Sequence, residues 1–199
     1  MIPSSGDIQL HSWHAKRIVR NMFPLLIVLS IIVLWAGISL EAAEEMLTTV
    51  VILAVIVPTM VDMGGNLGAI LSSRLTTRFH LGMSVLDVRD RILWANIAAV
   101  MALAVTIFAA LAVGAYIVGL FFGFPIDFLD LLTITMVSGI SVAIVAIICS
   151  FGATYASYRL GIDPDDTTIP IVTNLVDVAG MVIFLAVSAY VLEFDIGIT

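Results

Sequence analysis

The sequence contains very little cysteine and very little charge. Cys149 is the single cysteine among 199 residues, so an intrachain disulfide is impossible, and no Cys/His spacing typical of a zinc site is present. Only 12% of the residues are charged and 61% are hydrophobic, with a mean hydropathy of +1.18. Soluble domains carry about 25% charged residues. The composition therefore excludes a soluble domain and indicates an integral membrane protein.

Long apolar runs account for this composition. Each of five runs has roughly twenty residues or more, the length that lets a helix cross a hydrocarbon core of about 30 Å. The sequence predicts an all-α, polytopic fold with five transmembrane helices in one membrane domain, residues 23–199, after an N-terminal tail, residues 1–22. The first run is too long for a signal-peptide core, so we expect it to be retained. The predicted spans are 23–40, 47–71, 92–122, 128–151 and 169–192.

Basic residues are also scarce, and their placement predicts the orientation. The chain has eight Lys and Arg residues and a net charge of −7. With a cytoplasmic N-terminus, all eight lie on the cytoplasmic side of the five spans, as the positive-inside rule requires. The sequence therefore predicts a multi-pass protein of the cell membrane, in contact with lipid, with an external C-terminus. Its negative charge argues against binding of nucleic acid.

Two ionisable side chains within the apolar runs are candidates for function. Asp62 lies in the second predicted span and Asp177 in the fifth. A carboxylate in hydrocarbon costs at least a few kcal/mol and usually faces a cavity or a partner. A rise of 1.5 Å per residue places both carboxylates at similar depths. Helical spacing predicts two polar stripes, one with Pro58, Asp62 and Asn66 and one with Thr173, Asp177 and Gly180.

Pro58 and the pair Gly64 and Gly65 are expected to weaken the second helix. Proline has no N–H, so the carbonyl of Ala54 loses its helical partner, and glycine lowers helix stability. Two explanations remain open at this point. One is a proline kink with glycines for close helix packing. The other is a broken helix whose free carbonyls face a cavity or a bound ion.

The polar groups in the spans are carboxylate, amide, hydroxyl and carbonyl oxygens. Hard oxygen donors without thiol or imidazole suit Mg²⁺, Mn²⁺ or Ca²⁺ rather than Zn²⁺ or Cu⁺. Mg²⁺ keeps several waters, so one or two carboxylates are enough. His11, His14 and His80 lie outside the predicted spans, where we expect surface side chains.

Two segments resemble the motifs of one family. Residues 56–68, IVPTMVDMGGNLG, and residues 72–77, SSRLTT, resemble the P-x(n)-GN motif and the S-R-L-S/T-T segment of the MgtE and solute carrier family 41 magnesium transporters. Residues 163–166, DPDD, with Pro170, Thr173 and Asp177 to Gly180, resemble that family's D-P-D-N…P-x-V-T-x-x-x-D-x-x-G pattern. The resemblance covers essentially all of the predicted membrane domain.

The resemblance implies transport of divalent cations, Mg²⁺ foremost, along a path at a homodimer interface lined by the second and fifth helices. The aspartate that matches Asp177 is the principal ion ligand in the family. From this resemblance and from the polar stripes together, the predicted metal ligands are Asp177, Asp62, Asn66 and Thr173, and the predicted pore-lining residues are Pro58, Gly64, Gly65, Asn174 and Gly180. Asp163, Asp165 and Asp166 are interpreted first as the turn that caps the fifth helix, with a cytoplasmic cation site as the alternative.

Two features depart from the family pattern. Asp62 stands where the family usually has a small or neutral residue, so it marks a second ion site, a proton-coupled step or a pair with Asp177. Nothing in the sequence resembles the family's cytoplasmic N and CBS regulatory domains. Two other classes stay open, a structural or assembly subunit and an intramembrane aspartyl protease. The protease motifs Y-D and G-x-G-D are absent, and no nucleophile, base or phosphate loop indicates another enzyme.

Overall fold

A computed structural model describes residues 15–82, 89–124, 126–160 and 164–193. Within these residues the chain is helical and contains no strand. All helices except the second are long and apolar enough to cross a membrane, which confirms the predicted all-α fold with five spans. The protein is therefore a multi-pass integral membrane protein. The helices are α1 (Ala15–Ala42), α2 (Glu44–Thr49), α3 (Val51–His80), α4 (Arg91–Phe122), α5 (Phe128–Leu160) and α6 (Pro164–Leu192).

The second span begins at a residue that differs from the prediction, whereas the first agrees with it. Helix α1 begins at Ala15, and its span-forming part, Met22–Ala42, begins one residue before the predicted start at 23. The predicted second span began at residue 47, but residues 44–49 form the short helix α2. Val50, between α2 and α3, has φ −112° and ψ 73°, which lies outside the helical region. No Pro or Gly marks this break, and buried side chains in α2, Met46 and Leu47, show that packing accompanies it.

Helices α3, α5 and α6 form the centre of the bundle, because each of them packs extensively on the other two. Helix α4 packs on α5 and α3, and α1 packs mainly on α6. Small residues on α3 meet α5 every four residues, at a constant offset of 78 residues along the chain. The two helices therefore run parallel in a fixed register. The pairs are Gly64 with Val142, Gly68 with Ala146 and Ser72 with Ser150.

Helix α3 is continuous through Pro58, Gly64 and Gly65. A Cβ at Gly64 would stand 2.5 Å from a methyl group of Val142, so the missing side chain is what allows α3 and α5 to approach. Of the two explanations left open by the sequence, the structure shows close helix packing and not a broken helix.

The predicted cytoplasmic end of α3 is tied to the start of α4. The carboxylate of Asp90 caps α4 by accepting a hydrogen bond from the Ile92 N–H, at 2.7 Å, and it also accepts one from Arg78. Arg74 donates a second bond across the two helices, to Oδ1 of Asn96 at 2.9 Å. Arg78 is only 5% exposed. Residues of the SSRLTT segment and its neighbour Arg78 thus fix the connection between α3 and α4.

Replacing Asp90 with Asn is expected to lower the melting temperature at neutral pH. Asn still caps a helix but cannot pair with Arg78. The hydrogen bond from Arg78, followed by that from the Ile92 N–H, lowers the pKa of Asp90. The stabilisation is therefore complete above the unfolded-state pKa of about 3.9 and is lost as the pH falls through the lower folded pKa.

Thermal unfolding in detergent at pH 7 and at stepwise lower pH checks this prediction. The difference in melting temperature between wild type and Asp90→Asn should become smaller as the pH is lowered. Asp127→Asn is the matched control, because Asp127 accepts a comparable bond from the Leu129 N–H at the start of α5, 2.7 Å long, and no ion pair involves it in the described part of the chain. Equal melting temperatures for wild type and Asp90→Asn at pH 7 would contradict the prediction.

Candidate cation path

Asp177 lies on α6, and its carboxylate rests against the backbone of α3. A Cβ at Gly65 would stand 2.3 Å from Oδ1 of Asp177, so the side chain occupies the space that any other residue at 65 would fill. Oδ1 is fully buried and has no hydrogen-bond partner among the described residues. The side chain as a whole is half-buried. The accessible oxygen of this carboxylate is therefore Oδ2.

Asp62 and Asn66 lie on one exposed face of α3 together with Pro58, as the spacing predicts. Nδ2 of Asn66 donates a hydrogen bond to Oδ2 of Asp62, at 3.0 Å. Asp62 precedes Gly65 by three residues, which is about 4.5 Å along the helix axis. Because Asp177 rests against Gly65, the two carboxylates lie at neighbouring levels of the bundle.

Thr173 and Asn174 are half-buried on α6, one turn before Asp177. The Thr173 hydroxyl donates to the Ile169 carbonyl at 2.7 Å, and the Asn174 amide donates to the Pro170 carbonyl at 2.8 Å. Their donor groups are therefore used within their own helix. The side-chain oxygens keep lone pairs, so they are suited to accept hydrogen bonds from the waters of a cation or to contact the cation directly.

Gly64 and Gly180, both predicted to line a pore, lie at packed helix–helix contacts inside the bundle. Both are buried, and both face Val142 of α5, with an added Cβ at 2.5 Å and 3.5 Å respectively. Small residues in membrane helices commonly serve close packing. The sequence analysis placed these glycines beside the polar residues of the predicted pore. The position of α5 instead puts them on the faces of α3 and α6 that pack against α5.

The predicted cation site in the DPDD segment lies outside the described residues. This applies to Asp163 and to the side chains of Asp165 and Asp166, so that site stays a prediction. His11 and His14 also lie outside the described residues.

Within residues 15–82, 89–124, 126–160 and 164–193, no three His, Cys, Asp or Glu side chains are grouped closely enough to hold a metal ion. Carboxylate and amide groups on the surface of an apolar span face hydrocarbon, and this exposure is costly in free energy. Asp62 and Asn66 expose such groups on α3, and Asp177 is half-buried on α6.

Two contacts near the carboxylates could not be found from spacing along one helix. The approach of Asp177 to Gly65 joins α6 to α3. The hydroxyl of Ser150 donates to the Gly68 carbonyl, at 3.1 Å, and joins α5 to α3. The only signal in the sequence is the set of small residues on α3 at intervals of four, from Gly64 through Gly68 to Ser72.

Comparison with known families selects among the classes that the sequence left open. The family model MgtE, described as a divalent cation transporter, matches residues 57–187. This match covers more than half of the chain and includes both Asp62 and Asp177. The chain belongs to the MgtE family. No curated protein matches it.

Membership of the MgtE family makes divalent cation transport the general function of this protein. The family is described as a divalent cation transporter, which gives the protease hypothesis no support. The hypothesis of a purely structural subunit would be favoured if both aspartates were bound to polar neighbours with no cavity nearby. Asp62 is bound to Asn66, but Oδ1 of Asp177 has no such neighbour among the described residues, so this condition is met for one aspartate only.

Proposed function

We propose that this MgtE-family protein is a homodimer that transports Mg²⁺, in preference to Mn²⁺ and Ca²⁺, between the α3 and α6 helices of its two copies. The observation that carries the proposal is the position of the two carboxylates. Asp177 is half-buried on α6 and Asp62 is exposed on α3, and both lie within spans. A carboxylate at the surface of a span is costly unless a polar partner or a cation meets it.

The exposed face of α3 is the surface on which a second copy would cover these groups. Exposed residues follow one another at intervals of three or four along the whole helix. The face carries polar groups in its middle and apolar groups toward its outer end. A twofold axis would place this face against itself and bring the aspartates of both copies together. Its residues are Val51, Val55, Pro58, Asp62, Asn66, Ile70, Ser73 and Thr77.

The chemistry of the combined site suits a hydrated Mg²⁺. Two copies of Asp177 offer two negative charges, and two copies of Asp62 add two more at the neighbouring level. Mg²⁺ dehydrates reluctantly and keeps several waters, so Asp177 would hold it largely through water. Thr173, Asn174 and Asn66 would accept hydrogen bonds from those waters, and Pro58 would line the path on the external side.

Cysteine cross-linking tests the interface. Ile70, 40% exposed on the α3 face, is replaced by Cys in a background with Cys149→Ser. We expect covalent dimers with short bifunctional thiol reagents in the native membrane, because the twofold axis would bring the two copies of residue 70 close together. Val113→Cys on α4, 48% exposed, is the matched control. Cross-linking at 113 without cross-linking at 70 would contradict the proposed interface.

Reconstitution into liposomes tests the transported ion. We expect wild-type protein to carry Mg²⁺ down its gradient, with Mn²⁺ and Ca²⁺ carried more slowly. Empty liposomes give the leak rate. A rate for every divalent cation equal to that leak would refute the proposed transport, and faster flux of Ca²⁺ than of Mg²⁺ would refute the assignment of Mg²⁺.

A further inference from the structure

Gly65 covers one of the two oxygens of the principal carboxylate. Oδ1 of Asp177 lies 2.3 Å from the point where a Cβ of residue 65 would stand, and this oxygen is fully buried. Only Oδ2 is left for a cation. The carboxylate is turned onto α3 because residue 65 has no side chain, while a Cβ at its neighbour Gly64 would meet Val142 of α5 at 2.5 Å and Val176 of α6 at 3.4 Å.

The second carboxylate, Asp62, is bound within its own helix and is not covered in this way. Its Oδ2 accepts the hydrogen bond from the Asn66 amide, at 3.0 Å, and still keeps a lone pair. The covering of one oxygen by a helix backbone therefore concerns Asp177.

A carboxylate that presents one oxygen discriminates between divalent cations. Ca²⁺ takes six to eight oxygen ligands and often binds both oxygens of one carboxylate, whereas Mg²⁺ requires a compact octahedron, keeps its waters and uses single oxygens. Covering Oδ1 removes the bidentate mode that favours Ca²⁺. It leaves intact the single contact, direct or through water, that Mg²⁺ uses.

We infer that Gly65 is a specificity-determining residue, which selects Mg²⁺ over Ca²⁺ by seating Oδ1 of Asp177 against α3. The inference rests on the proposed cation path. Any side chain at 65 turns the carboxylate away from α3 and uncovers both oxygens. The expected displacement is local, because the atoms that must shift are the carboxylate atoms of Asp177 and not a backbone segment.

The test measures the Ca²⁺ concentration that halves Mg²⁺ flux into liposomes, for wild type, Gly65→Ala and Gly64→Ala. We expect Ca²⁺ to inhibit Gly65→Ala at a concentration lower by about threefold or more, since bidentate binding becomes accessible. Gly64→Ala adds the same methyl group to the adjacent residue but directs it at Val142, so the ratio of Ca²⁺ to Mg²⁺ affinity should not change. An unchanged ratio in Gly65→Ala, or an equal change in both variants, would overturn the inference.

A second variant and a second measurement separate this inference from the proposed function. Asp177→Glu adds one methylene and keeps Gly65. The longer side chain carries the carboxylate beyond its contact with Gly65, so selectivity should shift toward Ca²⁺ in this variant as well. Thermal stabilisation of the purified protein by Mg²⁺ alone and by Ca²⁺ alone reports binding without transport. Absence of wild-type flux would refute the transport proposal, while the two stabilisation curves would still decide the role of Gly65. Unchanged Ca²⁺ preference in either Gly65→Ala or Asp177→Glu would refute that role.

Discussion

Asp177→Asn is expected to reduce Mg²⁺ flux in liposomes by at least about tenfold at low Mg²⁺ concentration. The amide has the shape of the carboxylate and fits against Gly65, but it removes one negative charge from each copy. At a water-mediated distance of about 5 Å, each charge attracts a divalent cation by a few kcal/mol at an effective dielectric constant of about 20. A change of 1.4 kcal/mol in binding already corresponds to about a factor of ten.

Two controls accompany this prediction: the melting temperature of Asp177→Asn and the flux of a variant at a distant aspartate, Asp127. Oδ1 of Asp177 is buried without a partner in the described part of the chain, so neutralising the group should not lower the melting temperature, and a loss of flux cannot be attributed to unfolding. Asp127→Asn at the start of α5 keeps its capping bond and should leave flux unchanged. Equal flux for wild type and Asp177→Asn would refute the assignment of this ion ligand.

Gly139→Ala is expected to destabilise the bundle more than any other single methyl addition considered. A Cβ at residue 139 of α5 would stand 2.1 Å from a ring atom of Phe108 on α4. Phe108 is fully buried, so its ring has no free space to enter. Overpacking of this kind costs about 1–3 kcal/mol and sometimes more. We expect a clearly lower melting temperature in detergent and a lower yield of folded protein.

Gly114→Ala on α4 is the matched control for that substitution. Nothing lies within 4 Å of a Cβ at residue 114, and alanine is favoured over glycine in a helix by about 0.5–1 kcal/mol, so the melting temperature should stay the same or rise. Adding Phe108→Leu to Gly139→Ala should restore part of the loss, because the smaller side chain makes room for the methyl group. Equal effects at 114 and 139 would show that the contact with Phe108 is not responsible.

The sequence was sufficient for the number and type of the spans, because hydrocarbon offers backbone groups no partner outside a helix or closed barrel. Apolar runs of sufficient length therefore predict helices almost regardless of their neighbours. It was also sufficient for the family, since two motifs surround Asp62 and Asp177 in order. The division between α2 and α3 at Val50 was not predictable, because no Pro or Gly marks it and local propensity continues across it.

Which face of each helix meets which neighbour was decided by the tertiary structure alone. In a soluble protein the apolar stripe of a helix identifies its buried face, but a span in hydrocarbon is apolar on every side, so this signal disappears. Spacing correctly grouped Pro58, Asp62 and Asn66 on the exposed face of α3. It could not show that Gly64 faces Val142 while Gly65 receives Asp177, because those contacts depend on where α5 and α6 pack. The two adjacent glycines are equivalent in the sequence. Only the packing of three helices makes Gly64 the close contact with α5 and Gly65 the contact with the Asp177 carboxylate.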